Sequence, residues 1–391
     1  MTVKFLIFDM MLGKAREMST CFPYFINKLP DIEFITKPSE DFYIVLCPIQ
    51  NFYLLSKNLT DYTILEKIES NSPKVIADLR NKKCGLMYIV EAETFGTLPI
   101  LGFKSPIDVA SLLDETTEFL KIEKNIISYC DNNYKISFAL ERRGYTGFWF
   151  GMFEVGPMSK PEIVKTIAQN IINKQTRNKK FLYLGGKPRE FRLRFLHRLL
   201  QLPNFEQDSL ITTGEGRFFD EVTKKVIHIP SRVLDYPDVA GKNGISEEEA
   251  RSLNIDFHTS AYLNIVPMSY FYMNHSIIDV NEKLFKPIVT MQPFIVFGEP
   301  KLLKSLHELG YKTFNQWINE DYDLILDDDE RLVFLVKEIE RLNSLTHSEW
   351  TTMLAEMLPV LKHNVDLHRS KYESLHNEKL LLSKIKNKYN I

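Results

Sequence analysis

The residues best placed for chemistry lie in Lys180-Phe-Leu-Tyr-Leu-Gly-Gly-Lys-Pro-Arg-Glu-Phe-Arg-Leu-Arg194. An apolar strand-like run meets the pair Gly185-Gly186, and a basic helix-like run begins after Pro188. Glycines between a strand and a helix let backbone N–H groups approach a ligand, and a helix N-terminus adds partial positive charge, so the pattern suits a phosphate. Lys187, Arg189, Arg192 and Arg194 would complete the neutralisation. A glycine turn before a basic surface helix is also an ordinary structural feature, and the two readings stand side by side.

A second constellation is Asp279-Val-Asn-Glu-Lys-Leu-Phe-Lys-Pro-Ile288 followed by Met291-Gln-Pro-Phe-Ile-Val-Phe-Gly-Glu-Pro300. At a helix start, the Glu282 carboxylate could accept from sugar hydroxyls while the Lys283 ammonium contacts a diphosphate. The same pair also suits a capping carboxylate beside a solvated lysine. Asp321-Tyr-Asp323 and Asp327-Asp-Asp329 resemble acidic metal-binding text, but Asp327–Asp329 precede a long helical pattern, where carboxylates cap free N–H groups. His258, His275, His347, His363 and His368 have no metal-ligand spacing. No metal is expected.

The elements that must position these residues alternate. Val3–Phe8, Tyr43–Pro48, Leu86–Val90 and Ile126–Tyr129 read as strands separated by helical or polar stretches, which predicts parallel βαβ layering. Glu162–Lys174 is helical by spacing, and the polar run from Asn173 to Lys180 is the linker candidate. Strand, glycine turn and helix then restart at Phe181–Leu184, with further strands at Ala261–Val266 and Pro293–Phe297. A helix over Pro300–Leu309 stops at Gly310, and the chain is almost wholly helical from Asp329 to Tyr372. Internal repeats and low-complexity tracts are lacking.

With 391 residues, 44% apolar and 26% charged, the chain has material for two cores and no signature of disorder. Lys plus Arg (49) nearly balances Asp plus Glu (51), so a nucleic-acid partner would need local basic patches: Arg142-Arg143, the 177–180 cluster or the C-terminal lysines. Cys21, Cys47, Cys84 and Cys130 lack zinc or redox spacing and read as reduced thiols. The N-terminus reads as a first strand rather than a signal peptide, no run reaches the ~18–20 apolar residues of a membrane span, and a cytoplasmic location without membrane insertion is expected.

Asp279 to Gly298 resembles the donor-binding motif of α1,3-fucosyltransferases and related phage-type glycosyltransferases, with Glu282, Lys283, Pro293 and Gly298 at matching positions. Asn281 stands where that family usually has Thr, and Asp279 where an aromatic residue is frequent. Phe181–Leu200 resembles the first strand and helix of the same domain, with Arg192 matching the arginine that contacts the donor diphosphate. Leu306–Trp317 and Asp321–Asp323 look like the phage-type branch.

The resemblance covers about half the chain, from Phe181 to roughly Asn364. It implies the GT-B architecture, an α/β fold in which two Rossmann-like domains face a central cleft and a C-terminal helix crosses back. The corresponding expectation is an acceptor domain over 1–175, a nucleotide-sugar domain over 176–365 and a returning tail over 366–391.

The resemblance further implies an inverting transferase using a UDP- or GDP-linked sugar and no other cofactor. Donor contacts would come from Gly185, Gly186, Lys187, Arg189, Arg192, Glu282 and Lys283. A carboxylate at a strand end would serve as general base: Glu93 first, Glu91 second, with Asp131 and Asp9 as further candidates. The acceptor expected is a hydroxymethylated cytosine in double-stranded phage DNA, receiving a pentose or hexose on an extruded nucleotide. A fucosyltransferase-like enzyme acting on a glycan or lipopolysaccharide, and a non-catalytic nucleotide-sugar or DNA-binding module, are the alternatives.

Overall fold

The computed structural model describes residues 2–6, 32–48, 72–89, 113–114, 117–131, 140–149, 160–220, 223–232, 253–268, 271–272, 280, 282–375 and 378–391. Contacts divide the chain into two compact units. The first comprises 1–152, 275–277 and 373–391, and the second 153–274 and 278–372.

The first unit carries β1 (Val3–Leu6), β2 (Ile32–Ile35), β3 (Tyr43–Pro48), helix α1 (Pro73–Arg80), β4 (Cys84–Ile89), β5 (Ile127–Asp131) and β6 (Thr146–Trp149). These form one all-parallel sheet in the order β2-β1-β3-β4-β5-β6. Near-continuous apolar strands such as Tyr43-Ile-Val-Leu suit a parallel sheet covered on both faces.

The second unit begins with α2 (Pro161–Ile172), β7 (Lys179–Leu184), α3 (Glu190–Leu199) and β8 (Ser209–Thr212). An antiparallel hairpin of β9 (Gly216–Asp220) and β10 (Lys225–Ile229) follows. Next come α4 (Ile255–Ser260), β11 (Ala261–Pro267), α5 (Glu282–Val289), β12 (Phe294–Phe297) and α6 (Leu302–Glu308). Its main sheet is again wholly parallel, in the order β12-β11-β7-β8. Helices α7 (Asp328–Asn343) and α8 (His347–Leu375) follow. The fold class is therefore α/β with a parallel sheet in each unit. Among the described residues no helix is long and apolar enough to cross a membrane.

The last helix, α9 (Glu378–Tyr389), belongs to the first unit. Its Leu382, Ile385 and Tyr389 join Val3, Phe5, Ile44, Leu46 and Met87 in one buried cluster. A Cβ at Gly85 of β4 would fall 2.3 Å from the Tyr389 ring, so this strand position has to be glycine for the tyrosine to seat. The Tyr389 hydroxyl then meets Ser128 Oγ at 2.6 Å.

The run 173–180 is not a linker. Lys179 and Lys180 are already in β7, Arg177 is 7% exposed, and the division of the chain falls between 152 and 153, which puts α2 in the second unit. Arg177 interrupts the polar pattern because its guanidinium is drawn into the sheet edge by backbone carbonyls.

Candidate functional site at the C-terminal edge of the second sheet

In the second unit the chain moves outward from β7 to β8 through α3, then returns to place β11 on the other side of β7 and continues outward through α5 to β12. The strand order reverses between β7 and β11. In open parallel sheets a crevice opens at such a point, beyond the carboxyl ends of the strands. The loops there are Gly185–Arg189 after β7, Thr213-Gly214 after β8, Met268 after β11 and Gly298–Pro300 after β12. Crossover helices start at this edge too, so the first turns of α3 and α5 belong to it.

The two glycines are required for the turn. A Cβ at Gly185 would lie 2.7 Å from the Tyr183 ring and 2.9 Å from Thr212 O, and Gly186 has φ +55°. Gly185 N–H donates to Thr212 O at 2.8 Å, and Gly214 N–H to Gly186 O at 2.8 Å. The Gly185 amide thus extends the sheet pairing instead of facing a ligand.

Arg192, the sequence match to a diphosphate-binding arginine, turns its guanidinium toward the backbone. On α3 it is 4% exposed. Its Nε and Nη2 donate to Met268 O at 3.0 and 2.6 Å, and its Nη1 to Gly185 O at 2.8 Å and Lys187 O at 3.2 Å. The planar fork therefore bridges the ends of β7 and β11, across the crevice where the strand order reverses.

Further cationic residues at this edge are Lys187, Arg189 and Lys283. Lys187 is exposed, and Arg189 is the half-buried N-cap residue of α3, a helix start with no side-chain cap. The first amides of α3 and the two cationic residues thus lie at the same edge, an arrangement suited to an anion. Glu190 in that first turn is held by Arg194 at 2.7 Å. Lys283 is the half-buried second residue of α5, and topology puts it on the same edge. Pro293 is buried just before β12, and Gly298 is closely packed, since a Cβ there would come within 2.8 Å of Met268 Cγ. The Glu282 side chain, Glu91, Glu93, Asp9 and the Asp131 side chain lie outside the described residues.

Linear reading missed what lines this edge beyond α3. A cavity of about 350 Å³ is walled by Phe191, Phe271, Tyr272 and Phe297, with Arg194 and Asp327–Asp329 around it. Its floor is held by Arg331, 1% exposed, which donates to Phe271 O and Asp328 Oδ1, both at 2.5 Å, and lies over the Phe271 ring at 4.3 Å. Burial raises the Tyr272 phenol pKa, Arg194 opposes this, and the nearby Glu190, Asp328 and Asp329 add to it. An aromatic slot bordered by hydrogen-bonding groups offers a flat heterocycle one apolar face and several polar contacts.

One aspartate of each acidic run acts as a cap. Asp323 is buried, with Oδ1 accepting from Leu303 N at 3.0 Å and Oδ2 from Lys304 N at 3.2 Å. It caps α6, whose own N-cap residue, Lys301, has φ +67° and no side-chain cap. Asp327 Oδ1 accepts from Glu330 N at 2.8 Å and caps α7, as its place before the helix predicts.

No family model matches the chain, and none of the curated proteins does. Among solved structures, one described as "Crystal Structure of alpha1,3-Fucosyltransferase" aligns over 90% of this chain and 80% of that one, at 11% identity and a TM-score of 0.35. A likeness that slight bears on neither fold nor function.

Proposed function

We propose that the protein is a nucleotide-sugar-dependent, inverting glycosyltransferase that holds its donor at the C-terminal edge of the second sheet. The observation that carries this reading is the basic strand-to-helix turn Gly185–Arg189 at the point where the strand order reverses, leading into a helix start with no side-chain cap. The sequence resemblance at Phe181–Leu200 and Asp279–Gly298 points to the same chemistry.

In this reading Lys187, Arg189 and Lys283 neutralise the diphosphate, and Arg192 positions the turn. The Glu282 carboxylate accepts from ribose or sugar hydroxyls. Glu93, or failing it Glu91, removes the acceptor proton. The acceptor oxygen bonds to the anomeric carbon as the nucleoside diphosphate departs with the bonding pair. The cationic residues stabilise the charge that develops on it, the task a metal performs in other transferases. The GT-B pairing of domains is part of the same proposal.

For the acceptor, a glycan hydroxyl is the reading we prefer to DNA. The 177–180 cluster does not form a basic face: Arg177 is buried, Lys180 pairs with Asp208 at 2.9 Å, and Lys179 bonds the Gln207 carbonyl. Activity against salt separates the two, because a DNA acceptor gives a steep loss with salt and a neutral glycan almost none.

The deciding experiment is a thermal-shift screen of UDP, GDP and their sugars. One nucleoside diphosphate should raise Tm, and K187A with K283A should weaken its binding about tenfold, as loss of charge-assisted contacts predicts. Silence across every nucleotide removes the reading. Loss of turnover with donor binding intact in E93A separates an enzyme from a binding module.

A further inference from the structure

The opposite edge of the same sheet holds a second polar cavity, of about 250 Å³. It lies where α2 ends, β7 begins and α4 runs into β11, with Leu354 of α8 closing one side. Asn170, Gln175, Thr176, Asn178, Thr259 and Ser260 contribute neutral amides and hydroxyls. Among the described lining residues the one ionisable group is Arg177.

Arg177 is 7% exposed, yet only part of its guanidinium is used. Nη1 donates to His258 O at 3.1 Å and to Ala261 O at 2.7 Å, and the backbone N–H donates to Tyr262 Oη at 3.0 Å. Among the described residues, Nε and Nη2 have no hydrogen-bond partner and no carboxylate pairs with the group. Neither nitrogen is among the fully enclosed polar atoms that lack partners, so this edge of the fork is reached by solvent, and Arg177 lines the cavity.

A guanidinium this deeply buried is costly without a counter-charge, and burial pushes its pKa down to about 10. The neighbouring His258 ring supplies none, because an imidazole is either neutral or cationic. The Nε/Nη2 edge has the spacing of a carboxylate or phosphate, which it binds through two parallel N–H···O bonds.

We propose that this cavity is a second ligand site, distinct from the donor edge, which takes a compact oxyanion, the phosphate or carboxylate of a small molecule, side-on to Arg177. The surrounding amides and hydroxyls hydrogen-bond the remaining oxygens and any hydroxyls the ligand carries. The volume suits a small metabolite.

The test uses the full chain in a sulfonate buffer at constant ionic strength, with inorganic phosphate and malonate as separate probes read by thermal shift. At least one should raise Tm by about 3 °C or more near saturation, read in a K187A background so that phosphate held at the donor edge does not contribute. R177Q should lose this response. N170D provides a second arm independent of the stability of R177Q: by placing a carboxylate in the cavity it should raise the Tm of the unliganded protein and erase the response. Indifference to both probes in the K187A protein overturns the proposal. So does a response that survives in R177Q and N170D. Whether phosphate or malonate acts identifies the group recognised.

Discussion

Arg192 and Arg177 sit at the two edges of one parallel sheet and invite comparison. Each is more than nine-tenths buried, and each bonds a carbonyl at or beside an end of β11. Arg192 places four N–H···O bonds on three carbonyls, whereas Arg177 places two, from one nitrogen. A buried guanidinium with its fork spent on the backbone is part of the scaffold. One with an open edge in a polar cavity is equipped to receive something.

The comparison breaks most easily at Arg192. Replacement by Met removes the donors to Gly185 O and Met268 O, while Lys187 O keeps the Arg189 amide at 2.9 Å. Two buried carbonyls losing their partners, at about 1–3 kcal/mol each, should cost the protein about 3–4 kcal/mol in urea unfolding. If Arg192→Met unfolds like wild type but fails to bind the donor, then the guanidinium turns toward a ligand, as the sequence resemblance implies, and the scaffold role assigned to it is wrong.

A second difference concerns pH. His258, beside Arg177, is 1% exposed, and its Nδ1 meets Gln292 Oε1 at 2.8 Å. Burial lowers its pKa from 6.5 to about 4, against the Gln292 contact and with help from Lys286 and Arg177. The folded protein therefore favours the neutral ring. Stability from this group is complete above about pH 6.5 and is lost as pH falls toward 4, a total of about 3 kcal/mol. Urea midpoints for wild type and His258→Gln at pH 7 and pH 5 should diverge, with the variant flatter. Equal slopes would mean that the N-terminal edge is not where acid acts.

Much of this scaffold was legible in the chain and the roles of its arginines were not. Tyr43–Pro48 is a strand with the bounds its β-branched run predicts, and Gly310 ends α6 with φ +88°. Ile32–Ile35 and Ser209–Thr212, four residues each, are too short to show a period, and β10 exposes Val226 at 65%, which blurs its alternation. Arg192 follows a glycine turn in a basic run, which reads as a ligand contact. Nothing local shows that a carbonyl 76 residues away accepts from it. Arg177 reads as linker because it is flanked by polar residues, and only the fold carries it inside. Asp323 likewise caps a helix about twenty residues upstream, a relation set by tertiary structure.

The smallest effect is the most diagnostic. Replacing Arg177 by Met removes Nη1 from His258 O and Ala261 O, but Ala261 O still accepts from Gln292 Nε2 at 2.8 Å. One carbonyl loses its donor, and in exchange a buried charge without a counter-ion disappears. These terms oppose each other, so the variant should unfold within about 1 kcal/mol of wild type, or slightly later. That near-neutrality, set against the cost at Arg192, is what a charge held for a ligand predicts: the fold gains little from it until an anion arrives. A penalty at Arg177 equal to that at Arg192 would place both arginines in the scaffold and leave the second cavity without its cation's purpose.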